Sequence, residues 1–485
     1  MPFLLATICW SCKDDDESAE VSQNRKTNNW IYQNMKYYYL WNNQIPYAPD
    51  YTKDPETFFY SLLAPYNQTT HEGDRFTWIQ ENYVDLLNSL NGVSSSDVGF
   101  EYYTIKAYTA FVVVYVKPNT DAETKGLERG MEITAVNGVN ITQQNYTALL
   151  RQGKNEYELD IVDPNDGTSM KKTVSVMPDY AENPIYKKDV FQESGKTIGY
   201  LIYNFFAADS GNGTSSYDRA LNQVFKDFKN QGVEYLVLDL RYNGGGSIMS
   251  AIFMASALVN NRSVDDVFSK NEFNAGFQQD LVNEYGSDYI NDYFYDKVVK
   301  FDDNGNVTEY ETISDLGNQL KGIYILTGNY TASASELIIN GLTPYLNDKL
   351  HLIGDITYGK NVGSISIYKE NDSKNKWGMQ PIVLRTSNKN GFSDYGGGFT
   401  PHTIVKEFAE NGGKLLPLGD LNEPLLKVAV EQITGIGSYS QAKSVNNIDV
   451  NSSSIIWKRG ALQMFVDENK YKINNRQLEM PDNIE

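Results

Sequence analysis

Ser333 and Ser335 stand where a short apolar run gives way to a helical pattern, a place where a hydroxyl can serve as a nucleophile. Residues 323–326 predict a buried strand, which Thr327, Gly328 and Asn329 break. A loop of small residues follows, and then Leu337, Ile338, Gly341, Leu342 and Tyr345 recur at helical spacing. Backbone N–H groups at a helix start lack intrahelical acceptors, and the helix dipole favours negative charge there. Residues 350–353 predict a second strand, leading through Gly354 into a turn that ends Tyr358, Gly359, Lys360. A third strand over residues 236–240 runs into Arg241, Tyr242, Asn243, Gly244, Gly245 and Gly246. Glycines at a strand end let backbone N–H groups approach a bound group with no Cβ in the way. The lysine of a phosphate loop and the spacing of a dinucleotide fingerprint are both absent, which sets a nucleotide reading aside.

TASASE followed by YGK resembles the core of the carboxy-terminal processing serine peptidases, also called tail-specific proteases. The resemblance implies that Ser333 is the nucleophile, the first serine of a Ser-Ala-x-Glu motif completed by Ala334, Ser335 and Glu336. It implies that Lys360, in Thr357, Tyr358, Gly359, Lys360, is the general base. LDLRYNGGG resembles the family's second signature. The N–H groups of Ala334 and Gly245 would then hold an oxyanion, with Ser335 and Glu336 supporting the turn. Family members often carry a glutamine four residues after the lysine. Ser364 occupies that position here and becomes the candidate third member.

A serine hydroxyl needs a base, and lysine can serve only when neutral. Burial and a scarcity of anionic neighbours lower its pKa, so Asp355 must point away from Lys360. Competing readings are a Ser-His-Asp hydrolase using His351 or His402, and a non-catalytic ligand or peptide binder on the same crotonase-like fold. No Gly-x-Ser-x-Gly elbow frames Ser333, which weighs against the first.

The 485 residues exceed one ordinary domain. A formal charge of −20 argues against nucleic acid or an anionic membrane surface as a partner. Both cysteines lie in the first dozen residues, and there are only three histidines, so a cysteine- or histidine-based metal site is poorly supplied and no cofactor is expected. The apolar residues 2–10, then Ser11, Cys12, Lys13 and Asp14 to Asp16, resemble the end of a bacterial lipoprotein signal. That resemblance implies lipidation of Cys12 and a cell-envelope location, with contact to an outer membrane only through the anchor.

The pattern divides the chain into a signal segment (1–12), an acidic tether (13–27), a helical domain (28–94), a PDZ-like β domain (95–180), an α/β peptidase core (181–435) and a C-terminal extension (436–485). The fold class expected is multidomain α/β (α+β), with a crotonase-like core. In the β domain, Phe111 opens a β-branched run, and Asn137-Gly138 predicts a hairpin turn. Resemblance to PDZ domains places Gly99 and Phe100 at a loop that would bind a peptide carboxylate, beside the charge of Glu101. Residues 263–320 read as a polar insertion over the active-site side.

Overall fold

In the computed structural model, residues 18–105, 109–301, 307–408, 414–437 and 464–466 are described. Ser18 caps the first helix, Ala19–Tyr38, by accepting a hydrogen bond from Val21 N–H (3.2 Å). Residues 19–27, expected as tether, are therefore helical. Their polar composition is that of a surface turn, and the apolar contacts that hold the helix, Trp30, Ile31, Met35 and Tyr38, come later. The second helix, Pro55–Tyr60, starts as its sequence signals. Asp54 Oδ1 accepts from Glu56 N–H and Thr57 N–H, and Pro55 fills the first position. Strand Trp78–Gln80 pairs antiparallel with Gly378–Gln380, so this unit is hydrogen-bonded into the core.

The β unit forms one antiparallel sheet in the order Phe100–Ile105, Ala110–Val116, Glu132–Val136, Glu156–Val162, Ser169–Ser175. Asn137 and Gly138 both have positive φ (51° and 73°) and join Val136 to its partner Val139, the tight hairpin their sequence predicts. Phe111, Val113, Ile133, Leu159 and Ile161 fill the unit's own core. The opposite face of Ala110–Val116 presents Val112 and Val114 to the neighbouring core sheet.

The core is built on a six-stranded sheet. Ile185–Glu193 is an antiparallel edge, followed by Lys196–Tyr203, Tyr235–Asp239, Gly322–Thr327, Leu350–Gly354 and Thr403–Ile404, all parallel. Its central strands are apolar along their length because both faces are covered. Leu201, Tyr203, Leu236 and Leu238 face helices Ser216–Asn230, Ile248–Leu258 and Ala334–Leu346. Ile198, Tyr200, Ile202 and Val237 face helix Pro424–Thr434 and the β unit.

A second sheet runs Gly246–Ser247, Met464–Phe465, Val362–Ser364, Ile382–Asn388, Val267–Phe273, Asn291–Tyr293. This corrects the reading of residues 263–320 as an insertion over the site, since Val267–Phe273 is an inner strand paired on both edges. Its buried polar side chains hide it in the sequence. Ser269 Oγ (2.8 Å) and Asn271 Nδ2 (3.0 Å) both donate to the buried Asp292 carboxylate. Within the C-terminal extension, Met464–Phe465 is likewise a sheet strand. No described helix is long and apolar enough to cross a membrane.

Candidate active site

Strand Gly322–Thr327 ends in a loop held by side chain to backbone bonds. Thr331 Oγ accepts from Gly328 N–H (2.9 Å) and donates to Leu240 O (2.8 Å), and Ala332 N–H donates to Asn243 O (3.1 Å). Ser333 follows with φ 63° and ψ −115°, immediately before helix Ala334–Leu346. A non-glycine residue in that region stores strain of about 1–3 kcal/mol. The alanines on either side are small enough for so sharp a strand-to-helix turn. Its N–H donates to Glu336 Oε2 (2.8 Å). Its hydroxyl is buried and makes no hydrogen bond among the described residues. Ala334 is the first helical residue, so its N–H has no intrahelical acceptor.

The Lys360 turn approaches the Ser333 turn through their backbones. Gly359 turns the chain at φ 90°, and a Cβ there would lie 2.2 Å from Gly396 O, so only glycine fits. Glu336 joins the two turns. Its Oε1 accepts from Thr357 Oγ (2.6 Å) and Gly359 N–H (2.7 Å), and its Oε2 accepts from Lys360 N–H (2.7 Å) as well as Ser333 N–H. One carboxylate oxygen thus bonds the backbone nitrogens of both candidate catalytic residues. Burial pushes the Glu336 carboxyl above its usual range, opposed by these donors.

Lys360 is fully buried, and its ammonium nitrogen lies 4.8 Å from the centre of the Phe76 ring. Burial lowers its pKa from 10.5 to about 7; the Asp74 and Glu336 charges oppose that shift, and the Arg75 guanidinium adds to it. Asp74, Arg75 and Phe76 come from the N-terminal unit, and sequence reasoning did not assign them to the site. Their signal was there, a charged pair beside an aromatic in a loop, but nothing local says which lysine they approach. Arg75 also donates to Gly359 O (2.9 Å), bracing the lysine turn. Asp355 is directed elsewhere, with Oδ1 on Ile356 N–H and Oδ2 3.8 Å from Lys406 Nζ.

The glycine loop lies alongside. Arg241 is buried and anchors it, donating to both oxygens of Asp239 (2.9 and 2.8 Å), to Glu423 (2.5 and 2.9 Å) and to Glu407 (2.8 Å). Asn243 ties the loop to the serine turn, because its carbonyl accepts from Ser335 Oγ (3.1 Å) and Ala332 N–H (3.1 Å). Ser335 Oγ is thereby held within the turn. The expectation for Gly245 needs correction for this conformation. Its N–H donates to Asn243 Oδ1 (2.8 Å), so it is engaged by a neighbouring side chain instead of facing an open oxyanion position.

Ser364 is fully buried on strand Val362–Ser364, and its Oγ donates to Met464 O (3.3 Å). Gly99 N–H donates to Asp97 Oδ1 (2.8 Å), and Phe100 is packed in the core of the β unit. The carboxylate loop expected there is therefore corrected, because an aspartate two residues upstream already takes the donor that a peptide carboxylate would need. Glu101 is not a lone charge; it pairs with the buried Lys117 (2.8 Å), which also meets Asp97 (2.8 Å) and Glu182 (3.0 Å). His402 Nδ1 accepts from Leu352 N–H (2.9 Å), and His351 stacks on Tyr324, its pKa lowered by burial. Cys12 lies outside the described residues. Among the described residues no group of three or more His, Cys, Asp or Glu is placed to hold a metal ion.

A cavity of about 660 Å³ opens against Gly244, Gly245 and Gly246, walled by the N-terminal unit, the β unit and the core. Tyr103, Tyr242, Tyr330 and Trp377 contribute aromatic faces to it.

Residues 197–405 match the description Peptidase family S41, and residues 26–78 match Peptidase S41 N-terminal domain. The chain is 27% identical over 288 residues to a carboxyl-terminal-processing protease from Picosynechococcus, a match spanning 58% of each chain. A solved structure of a Bacteroides fragilis protein assigned to the S41 proteases superimposes with a TM-score of 0.63. It is 26% identical, and the match covers 84% of this chain and 98% of that one.

Proposed function

From the premise that this chain belongs to peptidase family S41, we propose that it is a serine endopeptidase whose nucleophile is Ser333 and whose general base is Lys360. The observation that carries the assignment is the shared Glu336 carboxylate. It bonds the backbone of both residues, while burial brings the lysine to about pKa 7. A base near neutrality combines availability with driving force.

In this reading Ser333 Oγ attacks the scissile carbonyl carbon and its proton passes to Lys360 Nζ. The carbonyl π electrons move to oxygen, which Ala334 N–H receives at the helix start. Gly245 N–H, held by Asn243 Oδ1, is given no part in this step. Collapse of the tetrahedral species expels the amine, which takes the proton from Lys360. Water then repeats the sequence on the acyl-enzyme, with Lys360 again the base. Substrates are peptides or proteins, entering along the 660 Å³ cavity that borders the glycine loop.

Labelling with a fluorophosphonate and mapping the modified residue tests the assignment. Modification at Ser333, abolished in Lys360→Ala, supports it. Absence of both labelling and peptide cleavage would leave a ligand-binding protein on the same fold. The unit at 95–180 is read as PDZ-like, with its role at Gly99 limited to structure. Cys12 is proposed as a lipidation site that anchors the enzyme in a cell envelope. Cys12→Ala should move the protein from the membrane to the soluble fraction, and a soluble wild type removes the anchor.

A further inference from the structure

The strand Met464–Phe465 sits in a distinctive place. On one edge it pairs in parallel with Gly246–Ser247, which continue the glycine loop; on the other it pairs with Ser364, four residues beyond Lys360. Val466 N–H donates to Ser364 O (3.0 Å), and Met464 O accepts from Ser364 Oγ (3.3 Å). Met464, Phe465 and Val466 are 0%, 6% and 9% exposed, and the Phe465 ring packs with Trp78, Leu86 and Leu90 of the N-terminal unit. The chain thus supplies a peptide that lies between the end of the glycine loop and the strand that follows Lys360.

Two cavities border this strand and the loop it joins. The larger reaches Gly246, which is the residue paired with Met464. The smaller, about 340 Å³, is walled in part by Phe465 and Val466, and helix Tyr83–Leu90 contributes Asn88 and Leu90 to both. Gly246 therefore borders the larger cavity and also pairs with the chain's own strand. Two short parallel ladders hold that strand, two residue pairs on one edge and one pair on the other. Parallel pairing is the weaker kind, so the holding force is modest.

We propose that the channel between Gly246–Ser247 and Val362–Ser364 is a peptide subsite. Its ligands are extended segments of apolar–aromatic–apolar character, and residues 464–466 are its intramolecular occupant. Main-chain hydrogen bonds supply binding that is independent of sequence, as in strand addition to a sheet edge. The pocket formed by Trp78, Leu86 and Leu90 selects an aromatic at the central position. Because the occupant is tethered, it competes at high effective concentration, and a substrate must displace it. This rests on the proposed peptidase reading for its kinetic consequence, but not for binding.

The binding test uses full-length Ser333→Ala protein, which needs no catalysis, and a fluorescein-labelled peptide with the sequence of residues 461–468. Val466→Pro deletes the N–H that Ser364 O accepts and loosens the occupant. With that change the labelled peptide should bind at least about ten-fold more tightly, the scale set by losing one hydrogen bond and some tether advantage. A chain ending at Gly437 should bind it at least as well. The same peptide with aspartate at its phenylalanine should not bind. In the Ser333 enzyme, Val466→Pro should lower KM for a peptide substrate about ten-fold with kcat little changed. Equal peptide binding by parent and Val466→Pro proteins overturns the proposal. So does a folded Val466→Pro enzyme that loses activity, since the strand would then be part of the catalytic scaffold. Peptide binding as expected without any cleavage would keep the subsite and refute the peptidase reading.

Discussion

At the scale of single residues, the site is a contest between burying a lysine and keeping it useful. The drop from 10.5 to about 7 corresponds to about 5 kcal/mol of preference for the neutral amine. The unfolded chain binds this proton more tightly, so between pH about 7 and 10.5 folding gains stability as pH rises. Below pH 7 the full burial cost is present. Lys360→Met should therefore raise the melting temperature at pH 6 more than at pH 9, while activity disappears. An unchanged difference between the two pH values would contradict a depressed lysine. Ser333→Ala and Lys360→Ala should each lower kcat at least about 10³-fold, and the double variant should be little worse, because the pair acts as one unit. Ser335→Ala loses one hydrogen bond to Asn243 O, costs about 1 kcal/mol of stability, and should keep most activity. A dead Ser335→Ala with an active Ser333→Ala would reverse the choice of serine. The Ser333 turn, the Lys360 turn and the glycine loop were legible as strand ends because each sits at a local break in pattern. The roles of Asn243 and Gly99 were not, because short-range side-chain acceptors, Asn243 Oδ1 and Asp97 Oδ1, claim donors that spacing alone leaves open.

At the scale of elements, turns decide more than helices. Gly246 has φ 137°, and a Cβ there would lie 1.9 Å from Phe206 O, where the loop crosses back to the first sheet. Gly246→Ala should therefore cost several kcal/mol through backbone displacement, roughly 3 or more. Denaturant unfolding measures it, and a loss below about 1 kcal/mol would show that the loop can shift freely. The helix start at Asp54-Pro55 and the Asn137-Gly138 hairpin were readable because the chemistry is local. The strand Val267–Phe273 was not, because its burial of Ser269 and Asn271 depends on Asp292, a partner visible only in the folded sheet. Helix Ala19–Tyr38 began earlier than its apolar stripe because Ser18 caps it and packing farther along pays for the polar turns.

At the scale of the whole molecule, the lysine belongs to the core but its environment does not. Phe76 covers its ammonium, and Asp74 is the neighbouring charge that most raises its pKa. Asp74 is itself fixed inside the N-terminal unit by Tyr39 OH (2.7 Å) and by the N–H groups of Phe76 and Thr77. The unit is joined to the core through Trp78–Gln80, so its folding and the tuning of the base are coupled. Two substitutions separate tuning from folding because they act in opposite directions. Phe76→Ala admits water beside the ammonium, relieves desolvation, and should move the acidic limb of kcat/KM upward by about one pH unit. Asp74→Asn removes an attractive charge and should move the same limb downward by about half a unit, leaving the enzyme relatively more active near pH 6. Under the proposed role of Lys360 only its neutral form is a base, so the limb in each variant would report the lysine of the free enzyme. Shifts of the same sign in both variants, or none in either, would mean that the N-terminal unit merely packs against the core and that the pH dependence of cleavage arises from another group.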